Sequence, residues 1–182
     1  MSPKELYLIK KIFEEKPVTI DKKLIENLKK SKNMEVIGAL EELITDPNYY
    51  NKIVPSLDFN DYYPFLFNYY INCMQNSYYN SNWILSPYLA AYSLKDFIEH
   101  IWANNLDMSK KDKLKIINDI KNKLKYLAKR ADNNFKLVLI NGLLEHLFEN
   151  QEIKFFFNDW TNDIVLKKYY DSALNKTKPI QF

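Results

Sequence analysis

Glycine is almost absent from this chain: Gly38 and Gly142 are the only two among 182 residues. Tight β-hairpin turns and phosphate-binding loops depend on glycine, because glycine reaches positive φ at little steric cost. Neither the dinucleotide-binding pattern GxGxxG nor the P-loop pattern GxxxxGK[ST] can be formed from two glycines so far apart. The scarcity of glycine therefore argues against sheet-rich folds and against both of these nucleotide sites.

Cysteine and arginine each occur once, as Cys73 and Arg130. A single cysteine forms no intramolecular disulfide and no cysteine-based zinc site, which favours a reducing compartment. The N-terminus lacks the apolar segment of a signal peptide, and the most apolar stretches, 83–94 and 135–148, are too short to span a membrane. We expect a soluble cytoplasmic protein with no membrane association, no bound metal and no cofactor.

Apolar residues recur at helical spacing along nearly the whole chain, and no strand-length alternation is sustained. This pattern predicts an all-α fold of about eight helices in a single domain, 1–182. The domain comprises an N-terminal three-helix group at 1–46, helical hairpins at 59–176 and a tail at 177–182. Ser86, Ser109 and Asp132 are predicted to cap helices, because their side chains accept hydrogen bonds from free backbone N–H groups.

Two short segments of the chain resemble each other. FIEHIW, at 97–102, is followed 46 positions later by LLEHLF, at 143–148, and the similarity extends over about 17 residues. This period lies in the range of HEAT and armadillo repeats. We therefore predict a HEAT-like stack of hairpins, with an irregular helical bundle as the alternative. The predicted hairpins pair 60–76 with 86–104, 109–130 with 133–149, and 152–160 with 162–175.

The two resembling segments contain both histidines of the chain, His100 and His146. Each histidine follows a glutamate, and neighbouring residues on a helix point about 100° apart, so neither Glu-His pair forms two ligands of one metal ion. Asp96 and His100 lie one turn apart, and we interpret them as a surface pair near a helix C-terminus. If a third group joined them, they would act as two ligands or as a general-base pair. A helical hydrolase centred on Asp96 and His100 is therefore the third functional hypothesis.

The predicted helix 109–130 carries a stripe of lysines about 120° wide and about 27 Å long. Such a stripe follows a phosphate backbone in some nucleic-acid-binding proteins, so nucleic-acid binding is the second functional hypothesis. The net charge of only +3 and the scarcity of arginine and stacking aromatics weaken it. The phosphate-facing residues of this hypothesis are Lys111, Lys115, Lys121, Lys125 and Lys129.

Ten of the fourteen tyrosines fall between positions 49 and 92, mostly as adjacent pairs. Tyrosine is enriched at binding surfaces, and both rings of every pair cannot be buried on one helical face. We expect some of these rings to reach solvent and to border a groove for a partner. The predicted partner-binding residues are Tyr62, Tyr63, Tyr69, Tyr70, Tyr78, Tyr79 and Trp83.

The first functional hypothesis follows from the absence of any recognisable catalytic motif. We expect a non-catalytic cytoplasmic module that binds another protein, of the adaptor, inhibitor or immunity kind and bacterial in origin. The tyrosine-rich region 59–92 supplies the surface, and Glu145, Glu149 and Glu152 or the lysine stripe tune the association rate. The aromatic segment FFFNDW, at 155–160, is expected to lie mostly in the core.

Overall fold

The computed structural model of the chain describes residues 3–15, 21–46, 59–76, 84–103 and 109–175. Within these ranges the protein is all α and contains no β-strand, which confirms the fold class predicted from the hydrophobic periodicity. None of the described helices combines the length and the apolar character that a membrane span requires. The predicted tail at 177–182 lies outside the described residues.

The described residues divide into two compact units. The first unit contains the residues up to Cys73 together with Ile84 and Leu85, and the second contains 74–76 and the residues from Ser86 onward. The sequence pattern grouped helix 60–76 with the hairpins, whereas most of this helix belongs to the first unit. The single domain over 1–182 stays a prediction.

Four helices lie wholly or mostly in the described part of the first unit. These are α1 (Pro3–Glu15), α2 (Lys22–Leu28), α3 (Met34–Thr45) and α4 (Phe59–Gln75). Helix α3 packs against both α1 and α2, because its apolar face from Val36 to Ile44 is buried. The carboxylate of Asp21 accepts a hydrogen bond from the backbone N–H of Lys23 and so caps α2.

The second unit begins with two helices whose starts agree with the predicted caps. Ser86 caps α5 (Pro87–Trp102), and Ser109 caps α6 (Lys110–Ala128). In each case the serine hydroxyl accepts a hydrogen bond from the backbone N–H three residues later. These local interactions satisfy backbone donors that have no partner within the helix.

The remaining helices of the second unit follow Asp132, which caps α7 as predicted. Helix α7 is α-helical over Asn133–Leu137, π-helical over Val138–Leu144 and α-helical again over Glu145–Leu147. Next come α8 (Gln151–Phe156), a 3₁₀ turn (Asn158–Asn162) and α9 (Ile164–Leu174).

Helix α7 lies at the centre of the second unit. Its residues are buried around most of the helix circumference, as its nearly continuous apolar sequence predicted. Helices α5 and α9 both pack directly against its π-helical segment. The fully or almost fully buried side chains are Val138, Leu139, Ile140, Leu143, Leu144 and Leu147.

Helices α5 and α7 carry the two similar segments and lie side by side. Tyr88 and Ala91 contact α7 at Gly142, and one turn later Tyr92 contacts it at His146, so the two helices run parallel. A Cβ atom at position 142 would lie 2.8 Å from the Cβ of Ala91. The glycine is therefore required for the close approach of the two helices.

The helix pairing differs in part from the predicted hairpins. The principal packing of α6 is against α5 and α9, whereas the sequence paired it with α7, its neighbour along the chain. An apolar stripe specifies that a helix has a partner but not which helix the partner is. Whether the 46-residue similarity is a structural repeat stays a prediction.

Candidate binding groove

The structure places most of the predicted partner-binding tyrosines inside the first unit. Tyr62, Tyr69 and Tyr70 are buried, Tyr63 is half-buried, and Tyr78, Tyr79 and Trp83 lie outside the described residues. A buried ring has no free surface for a partner. The expectation that the tyrosine pairs border an exposed groove is therefore wrong for Tyr62, Tyr69 and Tyr70.

A buried polar pair explains how a tyrosine on α4 turns inward. The hydroxyl of Tyr70 donates a hydrogen bond of 2.8 Å to Glu41 Oε1 on α3. Burial raises the pKa of Glu41 to about 7, the hydrogen bond from Tyr70 opposes this, and the negative charge of Glu42 adds to it. The pair gives the tyrosine hydroxyl a partner, which a buried polar group requires.

The second tyrosine of the same pair lies beside the single cysteine. Tyr69 and Cys73 are one turn apart on α4 and both are almost completely buried. Burial raises the pKa of the Tyr69 hydroxyl, and it raises the pKa of the Cys73 thiol to about 11. A thiol with a raised pKa is a weak nucleophile at neutral pH, so Cys73 serves packing here.

Three of the five predicted phosphate-facing lysines form ion pairs within the second unit. Lys121 and Lys125 each lie 2.6 Å from a carboxylate oxygen of Asp159, and Lys129 pairs with Asp163. Lys121 is also buried. These three ammonium groups join α6 to the 3₁₀ turn and to the start of α9. The prediction that Lys121 faces phosphates is wrong because this residue is buried, and for Lys125 and Lys129 it stays a prediction.

The other two lysines of the stripe, Lys111 and Lys115, are exposed near the start of α6. They occupy only the first part of the predicted 27 Å stripe. Two exposed ammonium groups among ordinary surface residues do not form a continuous track for a phosphate backbone.

The residues of the hydrolase hypothesis lie on the exposed face of α5. Asp96 is 3.2 Å from the ammonium group of Lys95, and His100 is exposed in the last turn of the helix. In the part of the chain that the structure describes, no three histidine, cysteine or acidic side chains gather as metal ligands would. The hydrolase remains a hypothesis with no additional support.

A groove with aromatic walls lies on the second unit. It has a volume of about 670 Å³, is open to solvent, and lies where the C-terminus of α5 meets α8. Its lining is mainly apolar, with two carboxylates. The lining residues are Trp102, Gln151, Glu152, Phe155, Phe156 and Asp159.

Hydrogen bonds hold Trp102 in position on the α5 side of the groove. Its indole Nε1–H donates to Glu152 Oε2 at 2.9 Å, and its backbone carbonyl accepts a hydrogen bond of 2.8 Å from Lys113 Nζ. The ring meets that of Phe156 edge-to-face, with 5.4 Å between the centroids. Trp102 is therefore fixed from two neighbouring elements before any partner binds.

Lys121 holds the other side of the groove in place from behind. Its ammonium donates to the carbonyl oxygen of Phe156 at 2.6 Å and lies 4.3 Å from the centroid of the Phe156 ring. The same ammonium pairs with Asp159. Burial raises the pKa of Asp159, but the hydrogen bonds from Lys121 and Lys125 outweigh this and hold the pKa below its ordinary value.

Phe155 projects from the groove into solvent, with 77% of the residue exposed. Ile153 in α8 and Phe157 just after it are four residues apart and both buried. A residue midway between them must point to the opposite side of the helix. The expectation that most of FFFNDW is core is confirmed for Phe157 and Trp160, and it is wrong for Phe155. The i, i+4 spacing of Ile153 and Phe157 was the signal that could have identified Phe155.

Two tyrosines that the sequence analysis did not select are exposed on α5. Tyr88 and Tyr92 lie one turn apart and are each about two-fifths exposed. The hydroxyl of Tyr92 is 3.0 Å from His146 Nε2, and His146 Nδ1 is 3.3 Å from Glu149. Tyr88 and Tyr92 belong to the same tyrosine-rich stretch, 49–92, as the predicted residues. Composition therefore identified the stretch but not which of its tyrosines are exposed.

Comparison of the chain with protein-family models, with curated proteins and with solved structures finds no match. The groove combines fixed aromatic walls, an exposed phenylalanine and two carboxylates.

Proposed function

We propose that this protein is a non-catalytic module that binds another protein through the groove lined by Trp102, Phe155 and Phe156. The observation that carries the proposal is the exposure of Phe155 beside two rings that are already held in place. A large apolar side chain in water is unfavourable by roughly 2 kcal/mol relative to burial, so a partner that covers it gains binding energy. The adaptor, inhibitor or immunity kind of cytoplasmic protein fits such a role.

The groove supports this role better than the buried tyrosines do. Aromatic side chains near the centre of an interface, surrounded by polar groups, typically supply most of the binding energy. Because Trp102 and Phe156 are already fixed, a partner does not have to order them, and less side-chain entropy is lost on binding.

The test compares two variants that remove similar exposed apolar area. Phe155→Ser changes the groove, whereas Ile164→Ser changes another exposed residue, 83% exposed, that does not line it. Affinity purification from the native cell identifies candidate partners, and calorimetry with the purified partner measures the dissociation constant. We expect Ile164→Ser to bind like the unmodified protein and Phe155→Ser to bind at least tenfold more weakly.

A partner whose affinity is the same for both variants would contradict the groove as the binding surface. Circular dichroism of each variant provides the control for folding. Both substitutions replace side chains that point into solvent, so both variants are expected to keep the helical content and unfolding midpoint of the unmodified protein.

A further inference from the structure

The charges that line the groove are both negative, but they are not equivalent. Asp159 is matched by two ammonium groups, those of Lys121 and Lys125, each 2.6 Å away. Glu152 is exposed and accepts a hydrogen bond from the neutral indole N–H of Trp102. Among the residues that the structure describes, no cationic side chain lies within ion-pair distance of Glu152. Its carboxylate thus presents an unmatched negative charge at the groove.

Two rings of the groove lie beside ammonium groups of this chain. Lys121 Nζ lies 4.3 Å from the centroid of Phe156, and Lys113 Nζ lies 5.9 Å from that of Trp102. Such contacts arise because the face of an aromatic ring carries partial negative charge. Phe155 is the most exposed of the three rings, and within the described ranges no cation of this chain lies over it.

On the basis of the proposed function, we propose that the segment recognised by the groove is basic and inserts an arginine between the Phe155 ring and the Glu152 carboxylate. A guanidinium group is planar, stacks on aromatic faces and pairs with carboxylates through two parallel N–H donors. An acidic segment would face both lining carboxylates and be repelled by Glu152. The charge and the aromatic faces therefore select the same partner chemistry.

The experiment uses a random dodecapeptide library displayed on phage and selected on the full chain, with Phe155→Ser for counter-selection. The peptide that depends most on the groove is then synthesised twice, once with arginine and once with citrulline, which has the same shape but no charge. Fluorescence anisotropy gives the dissociation constants of both peptides. We expect an arginine shared by the selected peptides and binding at least tenfold weaker for citrulline.

Glu152→Gln is the matched variant, because the amide oxygen of glutamine still accepts the Trp102 N–H while the charge is removed. We expect this variant to bind the arginine peptide as weakly as the unmodified protein binds the citrulline peptide, and to distinguish the two peptides little. Such coupling assigns the arginine to Glu152 in particular. A structural role for Glu152 alone would instead weaken both peptides equally.

Three results would overturn the inference. Groove-dependent peptides that lack a basic residue would leave the proposed function standing and exclude the arginine. A library that yields no peptide sensitive to Phe155→Ser would contradict the proposed function as well. Self-association of the chain that sedimentation detects and Phe155→Ser abolishes would identify a second copy as the occupant.

Discussion

Glu41 and Tyr70 show how one buried polar pair can place a tyrosine in the core where its sequence suggested an exposed surface. Their side chains meet across 29 positions of sequence, and both are buried. Nothing near Tyr70 in the sequence indicates this contact, so the sequence predicted a binding surface where the structure has a core. Phe155 is the opposite case, because its exposure follows from the spacing of its own neighbours.

The Glu41 carboxyl predicts a pH-dependent stability. Its pKa of about 7 in the folded protein lies above its ordinary value of 4.5, so the folded state holds the proton more tightly. The free energy of unfolding is therefore unaffected by this group below about pH 4.5 and falls as the pH rises to about 7. The difference between the two pKa values corresponds to a loss of about 3 kcal/mol in the free energy of unfolding.

Glu41→Gln isolates this contribution, because the amide oxygen still accepts the Tyr70 hydroxyl and carries no charge. Urea unfolding at pH 4.5 and pH 8, followed by circular dichroism, measures both proteins. We expect the variant to gain about 3 kcal/mol over the unmodified protein between the two pH values. Parallel pH profiles for the two proteins would show that Glu41 is not held protonated.

At the scale of the helices, the sequence predicted what depends on nearby residues. The caps at Ser86, Ser109 and Asp132 each involve a donor three residues away, and all three are confirmed. In the lysine stripe, Lys125 and Lys129 pair with aspartates 34 positions away, which the sequence did not indicate. Helical periodicity places those lysines on one face of α6 but does not identify what covers that face.

The contact of α5 with α7 at Gly142 predicts that alanine is destabilising at this position. The added Cβ would lie 2.8 Å from Ala91 and 3.2 Å from the Tyr88 ring, and both lie in the closely packed interface. We expect Gly142→Ala to lower the free energy of unfolding by about 1–3 kcal/mol, measured by urea denaturation.

Ala91→Gly in the same chain tests the cause of that loss. Glycine in a helix interior costs about 1 kcal/mol by itself, but it removes the atom that the new Cβ meets. The double variant should therefore be more stable than the sum of the two single effects predicts. Additive effects would show that Gly142 is required for a reason other than contact with Ala91.

The ion pairs of Asp159 predict a stabilising link between α6 and the 3₁₀ turn. Asp159→Asn leaves the buried ammonium of Lys121 without its carboxylate, although Asp159 itself is partly screened by solvent. We expect a loss of about 1–2 kcal/mol in the free energy of unfolding. Lys111→Ala, an exposed position on the same helix, is the control and should change stability by less than about 0.5 kcal/mol. Equal effects of the two substitutions would contradict a stabilising role for the Asp159 pairs.

At the scale of the whole molecule, the hydrophobic periodicity was sufficient for the all-α class and for the central position of α7. It was not sufficient for the pairing of helices, because any apolar stripe matches any other. The principal packing of α6 against α5 and α9 is a tertiary result. The groove where α5 meets α8 depends on that packing, so its location could not be read from the sequence.

The ion pairs of the second unit also predict weak nucleic-acid binding. Lys111 and Lys115 are the lysines of the stripe that are exposed and outside these pairs, so a duplex would meet about two of them. The logarithm of the association constant should then fall with the logarithm of the salt concentration at a slope of about −2. Fluorescence anisotropy with a labelled duplex, at salt concentrations from about 50 to about 200 mM, measures this slope. A slope steeper than about −4 would require a larger basic surface and would support the nucleic-acid-binding hypothesis.

The most direct test of the groove is photocrosslinking in the native cell. The photoreactive phenylalanine analogue p-benzoylphenylalanine replaces either Phe155, in the groove, or Ile164, exposed outside it. The account predicts that position 155 crosslinks to one specific protein, identified by mass spectrometry, and that position 164 does not. If position 155 gives no crosslinked partner, or the same products as position 164, the groove is not the site at which this protein binds its partner.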